Sequence, residues 1–240
     1  MIAADQPTVF GVAVAAAISS KADGNMKFGI GEDAETESNR QRFLQHAGLD
    51  IAHTTLVGIT YDTDDFAKYR IVTEDEKRAG MTASGTKTAH ADALVTTRPG
   101  HALFLPLADC VGIILYDPVH SVLMVSHVGR HSAEIDGARR SADYLKDRFA
   151  SNPADLKVWL SPGVGRATYP LRHFAGKGLH EVIVDQLLAS GVRAENIEAS
   201  SVNTAESDDY YSHSEYLKGN DEYGRFAIVA AMRVQGEPAS

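Results

Sequence analysis

The residues best suited to chemistry lie in one short stretch, residues 107–131, which reads LADCVGIILYDPVHSVLMVSHVGRH. It contains Cys110, the only cysteine of the chain, and it ends on His127 and His131. A thiolate is both a nucleophile and a soft metal ligand, and histidine is a common partner of cysteine in either role. Cys110 is therefore either a small buried hydrophobic residue or part of a reaction or metal centre with His127.

The apolar residues between Cys110 and His127 predict how the two side chains meet. Residues 111–116 and 122–125 read as buried strands, and the intervening Asp117-Pro118 is typical of a sharp turn. An antiparallel hairpin places the start of its first strand beside the end of its second. We therefore expect Cys110 and His127 to lie at the same end of this hairpin.

The rest of the chain alternates between strand-like and helix-like segments. Predicted strands cover residues 12–20, 54–61, 93–97, 102–107, 158–160, 197–202 and 226–232, and predicted helices cover residues 35–48, 133–149 and 180–191. The polar, glycine-containing residues 74–88 predict a surface loop or a lid. No change of composition marks a linker, so we predict a single α/β domain over residues 1–240.

Composition disfavours several classes of function. The 240 residues are 44% hydrophobic and carry a net charge of −9, which argues against a nucleic-acid or anionic-membrane surface because both select basic patches. A single cysteine forms no internal disulfide, and no basic residue precedes the apolar residues 9–18 as a signal peptide requires. No apolar run reaches the ~18 residues of a membrane span. We predict a cytoplasmic protein that acts on a small molecule.

Further side chains are candidates for binding an anion or a substrate. Arg130 and Arg166 stand in glycine-containing segments and could hold an anion, with a solvated surface charge as the alternative for each. His131 follows His127 by four residues and would face the same side of a helix, with a solvated loop as the alternative. His213 follows two tyrosines and could line a pocket.

Several short motifs occur in an order that resembles the YfiH/YlmD-like family, also called the laccase-domain or polyphenol-oxidase-like family. They are Asn39-Arg40, ADALVT at residues 91–96, Pro99-Gly100, ADC at residues 108–110, Asp117-Pro118, His127 with Gly129, SPGVG at residues 161–165 with Tyr169, Tyr211-Ser212 and Gly224-Arg225-Phe226. The resemblance extends over nearly the whole chain. It implies an α/β fold in which mixed β-sheets are layered between helices.

The resemblance also implies a metal site and an activity. The family's metal is generally zinc, held by one cysteine and two histidines near its ADC and HAGWRG motifs. Its members are associated with phosphorolysis of purine nucleosides and with deamination of adenosine, and an older description is copper-dependent oxidation of polyphenols. Cys110 and His127 match the cysteine and the second histidine.

This chain departs from the family's motifs around the site. HAGWRG is HVGRHS at residues 127–132, and the QxHG segment with the first histidine corresponds to ITYDTD at residues 59–64, which has no histidine. Asp62 is an acceptable replacement because carboxylates bind zinc at about 2.0–2.2 Å. His131 and His213 are alternative ligands. In a further alternative the metal is lost and Cys110 remains a thiol.

The first hypothesis is a zinc-dependent purine nucleoside enzyme that binds a purine nucleoside and phosphate. With Cys110, His127 and Asp62 as ligands, zinc would lower the pKa of a bound water toward ~7 for deamination. For phosphorolysis, Arg130 or Arg166 would hold the phosphate. The proposed catalytic residues are Cys110, His127, Arg130 and His131, and the proposed substrate-binding residues are Asn39, Arg166, Tyr169 and His213.

Three alternatives stay open. One is a copper-dependent polyphenol oxidoreductase, although the sequence lacks the paired histidines of a multicopper oxidase. Another is a hydrolase that uses the Cys110 thiolate as nucleophile with His127 as its base. The third is a catalytically silent relative that binds nucleosides. The sequence leaves the oligomeric state open.

Overall fold

The computed structural model describes residues 1–234, whose regular structure consists of ten β-strands, five α-helices and short 3-10 turns. The strands are β1 (Val14–Ile18), β2 (Thr54–Leu56), β3 (Tyr69–Ile71), β4 (Ala93–Thr96), β5 (Ala102–Leu107), β6 (Val111–Asp117), β7 (Val122–Val128), β8 (Lys157–Leu160), β9 (Ile197–Ala199) and β10 (Phe226–Met232). The helices are α1 (Asp33–His46), α2 (Arg130–Glu134), α3 (Gly137–Phe149), α4 (Leu179–Ala189) and α5 (His213–Leu217).

The strands form two mixed sheets. One has the order β1-β10-β5-β2 and the other has the order β3-β4-β7-β6-β8-β9. The pairs β2–β5, β3–β4 and β8–β9 are parallel, and the remaining pairs are antiparallel. The predicted fold class, mixed sheets flanked by helices, is confirmed. The domain boundary at residues 1–240 stays a prediction, and residues 235–240 lie outside the described residues.

Alternate residues of β6 and β7 contact different layers of the fold. Ile114 and Val125 share a hydrophobic core with the four-stranded sheet, whereas Ile113 and Met124 share one with α3 and α4. This division follows from the two-residue period of a strand. A third core joins α1 to the other face of the four-stranded sheet. The layers are therefore helix, sheet, sheet and helices.

The β6–β7 hairpin lies at the centre of the six-stranded sheet. Both strands are buried at every residue, which explains a continuously apolar sequence where a half-exposed strand would alternate. The register pairs Val111 with Val128 and Gly112 with His127. Cys110 immediately precedes β6, so the predicted hairpin and the placement of Cys110 and His127 at one end of it are confirmed.

The helix predicted over residues 133–149 is interrupted. The chain forms α2 directly after β7, turns at Asp136 with a left-handed φ of 60°, and then forms α3 from Gly137. A Cβ atom at Gly137 would lie 2.7 Å from the carbonyl oxygen of Ser132. The close packing of α2 on α3 therefore requires glycine at this position. The apolar period continues across the break, so periodicity alone does not reveal it.

The other predicted elements are present, several of them shorter than predicted. The strand predicted over residues 54–61 ends at Leu56, and residues 57–61 continue as irregular chain. The strands predicted over residues 102–107 and 226–232 match β5 and β10. In the described part of the chain, no helix has the length and hydrophobicity needed to cross a membrane.

Truncating Ile114 tests the burial of the hairpin between two layers. Ile114 is fully buried, and Ile114→Ala should lower the free energy of unfolding by about 2–5 kcal/mol because it leaves a cavity between the sheets. The control is Val119→Ala in the turn of the same hairpin. Val119 is 66% exposed, and its truncation should cost less than about 0.5 kcal/mol. Urea denaturation measures both values, and equal costs would contradict the layered packing.

Candidate active site

Cys110 and His127 lie against the same short piece of backbone. A Cβ atom at Gly129 would lie 2.9 Å from Cys110 Sγ and 3.6 Å from His127 Cε1. A side chain at position 129 would therefore fill the space beside the sulfur. The hairpin register brings these two candidate site residues to this point, and glycine keeps the space beside them open.

The residue before Cys110 fixes the direction of the chain into β6. Asp109 has a left-handed φ of 75°, which is rare for a residue with a side chain. Its carboxylate accepts hydrogen bonds from Thr204 Oγ1 at 2.7 Å, from the Ser214 backbone N–H at 2.6 Å and from the Ser214 hydroxyl. Its carbonyl oxygen accepts one from the Val164 backbone at 2.9 Å. These bonds to three separate segments stabilise an unfavourable backbone conformation.

Burial determines the charge of both side chains. It raises the pKa of the Cys110 thiol to about 11 and lowers the pKa of the His127 imidazole to about 4. Both shifts arise because the charged form loses its water. His127 Nδ1 is buried and has no hydrogen-bond partner among residues 1–234. At neutral pH the pair is therefore a neutral thiol beside a neutral imidazole.

Tyr61 is a third polar side chain at this point. Its hydroxyl oxygen lies 4.0 Å from Cys110 Sγ. Its ring meets the His127 ring edge to face, with 6.3 Å between the centroids. The Tyr61 side chain as a whole is 64% exposed, and desolvation of its hydroxyl where it faces Cys110 raises the pKa of the phenol. The phenol is therefore neutral at neutral pH, like the thiol and the imidazole.

These three side chains line a cavity of about 790 Å³. Apolar walls come from the chain after β2, from the end of β5 and from the segment that precedes α4. Aromatic rings of Phe28, Tyr61 and Tyr169 add to them. Five cationic side chains also line it, namely Lys27, Arg40, Arg130, Lys218 and Arg225. Of the described residues that line the cavity, Asp109 is the only carboxylate, and its oxygens already accept hydrogen bonds.

The cations differ in what they already bind. Arg40 is buried, and its guanidinium donates to the carbonyl oxygens of Met26 and Gly80 at 2.7–2.9 Å. Lys218 forms an ion pair with Glu215 at 2.6 Å. Lys27, Arg130 and Arg225 form no ion pair with a carboxylate in the described part of the chain. They are therefore available to an anionic ligand.

Three further residues singled out from the sequence line the cavity, namely Arg130 of the proposed catalytic set and Tyr169 and His213 of the proposed substrate-binding set. Arg130 extends over Tyr169, with 6.0 Å between its guanidinium carbon and the ring centroid, which is within cation–π reach. His213 begins α5, and burial lowers its pKa, with Arg225 contributing. Tyr169, Arg130 and His213 thus line the same cavity as Cys110.

Asn39 and Arg166 lie outside the cavity lining, in contrast to the prediction. Asn39 is buried in α1, and its amide nitrogen donates to the carbonyl oxygen of Asn25 at 3.1 Å. It therefore holds the chain before α1. The Arg166 side chain is 61% exposed and faces Glu181 at 4.0 Å. The sequence cannot separate Arg130 from Arg166, because both follow glycine and only tertiary packing directs them apart.

His131 and Asp62 are also corrected by the structure. His131 is exposed on α2, and its ring stacks on Phe66 with 4.7 Å between centroids. His127 is in a strand and His131 in a helix, so their four-residue spacing does not put them on one face. Asp62 lines a separate cavity of about 160 Å³ with Asp92. The structure therefore does not bring Asp62 to Cys110 and His127.

The three-ligand metal site is incomplete in the form predicted from the sequence. Cys110 and His127 supply sulfur and nitrogen, the donor types that zinc prefers. Among residues 1–234, however, no three side chains of histidine, cysteine, aspartate or glutamate are grouped so as to hold a metal ion. The sulfur of Cys110 and the nitrogen of His127 are donor atoms that zinc prefers. Two such donors, however, are fewer than the three or four protein ligands of a usual zinc site.

Sequence reasoning missed Tyr61 and the role of Asp109. Tyr61 stands in the segment that corresponds to QxHG, in the third position where that motif has histidine. Residue type favours the neighbouring carboxylate as the zinc ligand, because carboxylates bind zinc far more commonly than phenols do. Asp109 belongs to the ADC motif, but its bonds to residues 204 and 214 depend on chain that is remote in sequence.

The chain matches known proteins over much of its length. The family model described as "Multi-copper polyphenol oxidoreductase laccase" matches residues 15–176. "Purine nucleoside phosphorylase YlmD" of Bacillus subtilis (strain 168) is 25% identical over 138 residues, 58% of this chain and 48% of that protein. "Purine nucleoside phosphorylase ORF3" of Streptomyces griseus is 32% identical over 150 residues, 61% of this chain and 56% of that protein. The matches thus span about half the length of these curated relatives.

A solved structure shares the fold along nearly the whole chain. YlmD from Geobacillus stearothermophilus has a TM-score of 0.84 with this chain at 20% sequence identity, and the match covers 98% of both chains. At that identity the likeness shows the fold alone. The family match extends over more than half of the sequence. The chain belongs to the YfiH/YlmD-like laccase-domain family.

Proposed function

We propose that this protein binds a purine nucleoside in the cavity beside Cys110 and cleaves its glycosidic bond with phosphate. The observation that carries the proposal is the cavity lining, in which apolar and aromatic walls meet cations that have no carboxylate partner. The names of the curated relatives support the same reaction class at the level of the family.

The walls of the cavity suit a purine base and a ribose. Its volume of about 790 Å³ lies within the roughly 300–1,000 Å³ usual for small-molecule sites. Aromatic rings such as Tyr169 and Phe28 provide flat apolar surface for a base. A nucleoside and a phosphate ion can occupy this volume together.

The charge of the lining suits phosphate. The chain as a whole carries a net charge of −9, whereas the cavity is lined by five cations and one carboxylate. Arg130 is the residue we assign to phosphate, because a guanidinium forms two parallel hydrogen bonds to phosphate oxygens. Its position over Tyr169 restricts the directions in which the guanidinium can point.

In this reaction a phosphate oxygen forms a bond to C1′ of the ribose while the bond from C1′ to the purine nitrogen breaks. The electron pair of that bond goes to the purine, which takes up the proton that the hydrogen phosphate ion gives up, and ribose 1-phosphate is the other product. Arg130 holds the attacking phosphate and offsets its charge. Apolar walls exclude water, which favours phosphate over water as the acceptor. His213, a neutral imidazole, is the group we assign to hydrogen bonding with the purine.

Zinc is the metal that the family resemblance implies for this site. Cys110 and His127 would hold it, and zinc bound there would supply a Lewis acid beside the substrate. Deamination by an activated water requires a complete zinc site, and residues 1–234 do not assemble one from histidine, cysteine, aspartate and glutamate. The proposal is therefore limited to phosphorolysis, and none of its steps depends on the metal.

Copper-dependent oxidation of polyphenols is less consistent with the site. Multicopper oxidases need several histidines close together, and a blue-copper centre needs one cysteine with two histidines. The described residues that line the cavity include two histidines, His127 and His213, and these do not form a metal-binding group with Cys110. The cavity therefore lacks the histidine and cysteine ligand set of a copper oxidase. Its apolar walls and cations are more consistent with the nucleoside reaction.

A hydrolase with Cys110 as nucleophile is also less consistent with the site. Reactive cysteines have pKa values lowered to about 3.5–7.5 by a nearby positive charge. Here burial raises the Cys110 pKa to about 11 and keeps His127 neutral. The thiolate that would attack an ester or amide is therefore a minor species at neutral pH.

Replacing Arg130 tests the assignment of phosphate. Loss of a charge-assisted hydrogen bond costs about 1.5–3 kcal/mol, so Arg130→Met should raise the KM for phosphate by roughly 10–100-fold and leave the KM for inosine or adenosine within about twofold. Arg166→Met is the matched control and should behave as wild type, because Arg166 is exposed and lies outside the cavity. Release of purine base is followed spectrophotometrically at varied phosphate.

Three results would contradict the proposed function. Base release that is independent of phosphate would indicate hydrolysis. An equal effect of Arg130→Met and Arg166→Met would remove Arg130 from the phosphate site. Binding of inosine and adenosine without any turnover, measured by calorimetry, would identify the chain as a catalytically silent relative.

The pH dependence of thiol alkylation tests the exclusion of the hydrolase. The chain has one cysteine, so iodoacetamide reports on Cys110 alone. Because burial raises the pKa of this thiol to about 11, the thiolate forms only as the pH rises toward that value. The alkylation rate of chelator-treated protein should be slow at pH 7 and rise continuously up to about pH 10. A rate that is already constant above pH 7 would indicate an activated thiolate and support the hydrolase.

A further inference from the structure

We infer that Arg225 and Lys27 form a second anion subsite, separate from Arg130, and that the preferred substrate is a purine nucleoside carrying a phosphate monoester at its 5′ position. The inference rests on the proposed function, because it takes the purine and the ribose to lie in the cavity beside Cys110. It adds the class of substrate. The observations that carry it are the placement of the unpaired cations and the hydrogen bonds that hold two of them together.

The cations that have no carboxylate partner come from two different layers of the fold. Arg130 begins α2 at the end of β7, on the side of the six-stranded sheet, and extends over Tyr169. Arg225 immediately precedes β10 of the four-stranded sheet, and Lys27 lies in the chain before α1. All three cations line the cavity. Arg130 accounts for inorganic phosphate, so the positive charge on the other side is left for a second anion.

Asn25 holds Lys27 and Arg225 next to each other. Its side-chain oxygen accepts hydrogen bonds from the backbone N–H groups of Lys27 and Arg225, both at 3.1 Å. The Arg225 carbonyl oxygen accepts a further bond from the Met26 backbone at 2.9 Å. Like charges repel each other, and these two have no carboxylate partner among residues 1–234. A cleft that concentrates charge of one sign in this way attracts the opposite ion.

The two side chains keep donors for a ligand. One N–H of the Arg225 guanidinium donates to the carbonyl oxygen of Gly224 at 2.6 Å, and the group lies over the Tyr223 ring at 5.0 Å from its centroid. These contacts restrict its direction, and a guanidinium has five N–H groups. The Lys27 side chain is exposed at the cavity. Two cations match the charge of about −1.5 to −2 that a phosphate monoester carries at pH 7.

His213 lies within electrostatic reach of both cations. Desolvation lowers the pKa of this imidazole, and the positive charges of Arg225 and Lys27 lower it further. The three residues therefore belong to one side of the cavity. Because His213 is the group assigned to the purine, the subsite for the 5′-phosphate adjoins the subsite for the base.

The stereochemistry of a β-nucleoside suits this arrangement. The base and the 5′ carbon project from the same face of the ribose, and a nucleophile that displaces the base approaches C1′ from the opposite face. A base at His213 and a 5′-phosphate at Arg225 and Lys27 therefore fit one side of the cavity. The attacking phosphate at Arg130 fits the other side.

The reaction itself is the one already proposed. An oxygen of the attacking phosphate bonds to C1′ and the bond from C1′ to the purine nitrogen breaks. The electron pair goes to the purine together with the proton of the hydrogen phosphate ion. The 5′-phosphate stays attached, so the second product is ribose 1,5-bisphosphate.

The test compares adenosine 5′-monophosphate (AMP) with adenosine. Binding is measured by calorimetry without inorganic phosphate, and release of adenine is then followed at varied inorganic phosphate. The variants are Arg225→Met, Lys27→Met, Arg130→Met and, as a control of equal charge outside the cavity, Arg166→Met, each in the full chain. Lys27 is exposed and Asn25 holds Arg225 through its backbone, so both substitutions should leave the fold intact.

Wild type should bind AMP at least about tenfold more tightly than adenosine. Arg225→Met should raise the Kd for AMP by roughly 10–100-fold, and Lys27→Met should raise it by roughly 2–5-fold because an exposed ion pair is weaker. Neither should change the Kd for adenosine or the KM for inorganic phosphate by more than about twofold. Arg130→Met should show the reverse pattern, and Arg166→Met should behave as wild type.

Three results would overturn the inference. Equal affinity of wild type for AMP and adenosine would show that the cavity has no subsite for a 5′-phosphate. A raised KM for inorganic phosphate in Arg225→Met, with unchanged AMP binding, would assign this side to the attacking phosphate. An equal loss of AMP affinity in Arg225→Met and Arg130→Met would show a single shared anion site.

Failure of the proposed function gives a different pattern. AMP binding that depends on Arg225, without phosphate-dependent release of adenine, would reject phosphorolysis and support the second anion subsite. Phosphate-dependent cleavage of adenosine with no preference for AMP would support phosphorolysis and reject the subsite.

Discussion

The burial of the β6–β7 hairpin on both faces is the constraint that places every part of the site. With a sheet on one side and helices on the other, the hairpin cannot slip by one residue without moving each apolar side chain to the wrong layer. The pairing of Gly112 with His127 is therefore fixed. A Cβ atom at Gly112 would lie 2.5 Å from Ile228 Cδ1 of the opposite sheet. The two sheets thus close tightly at the end of the hairpin where Cys110 emerges.

Asp109 connects this rigid hairpin to the outer half of the cavity. One carboxylate binds Thr204 and the first turn of α5, and the left-handed backbone turns Cys110 toward the space beside Gly129. A buried carboxylate needs such donors, because an unpaired charge would be costly there. The same bonds that satisfy Asp109 hold α5, and therefore His213, over the cavity. The hydrogen bonds that satisfy the buried Asp109 carboxylate are thus the same ones that position α5 at the cavity.

The sequence predicts contacts between segments that are close along the chain, such as the two strands of the hairpin. It does not predict contacts that depend on packing between distant segments. The hairpin follows from two apolar runs and a turn that are contiguous, so the sequence alone pairs Cys110 with His127. It does not identify the third group, because Tyr61 and Asp62 are adjacent and their backbone directs one to Cys110 and the other to a different cavity. Residue type favours the carboxylate as a zinc ligand. Only tertiary placement distinguishes the two.

At the two main departures from the family's motifs, a polar or charged side chain still lines the cavity, but a different residue supplies it. In HVGRHS the cation stands one position earlier than in HAGWRG, and Arg130 enters the cavity over Tyr169 while His131 turns away onto Phe66. The cavity thus keeps a guanidinium although the matching position has lost it. In the same way, Tyr61 places a hydroxyl beside Cys110 where the motif has an imidazole. Because the phenol is uncharged at neutral pH, as a neutral imidazole is, this replacement changes the hydrogen-bonding group beside Cys110 and leaves the charge of the cavity lining unchanged.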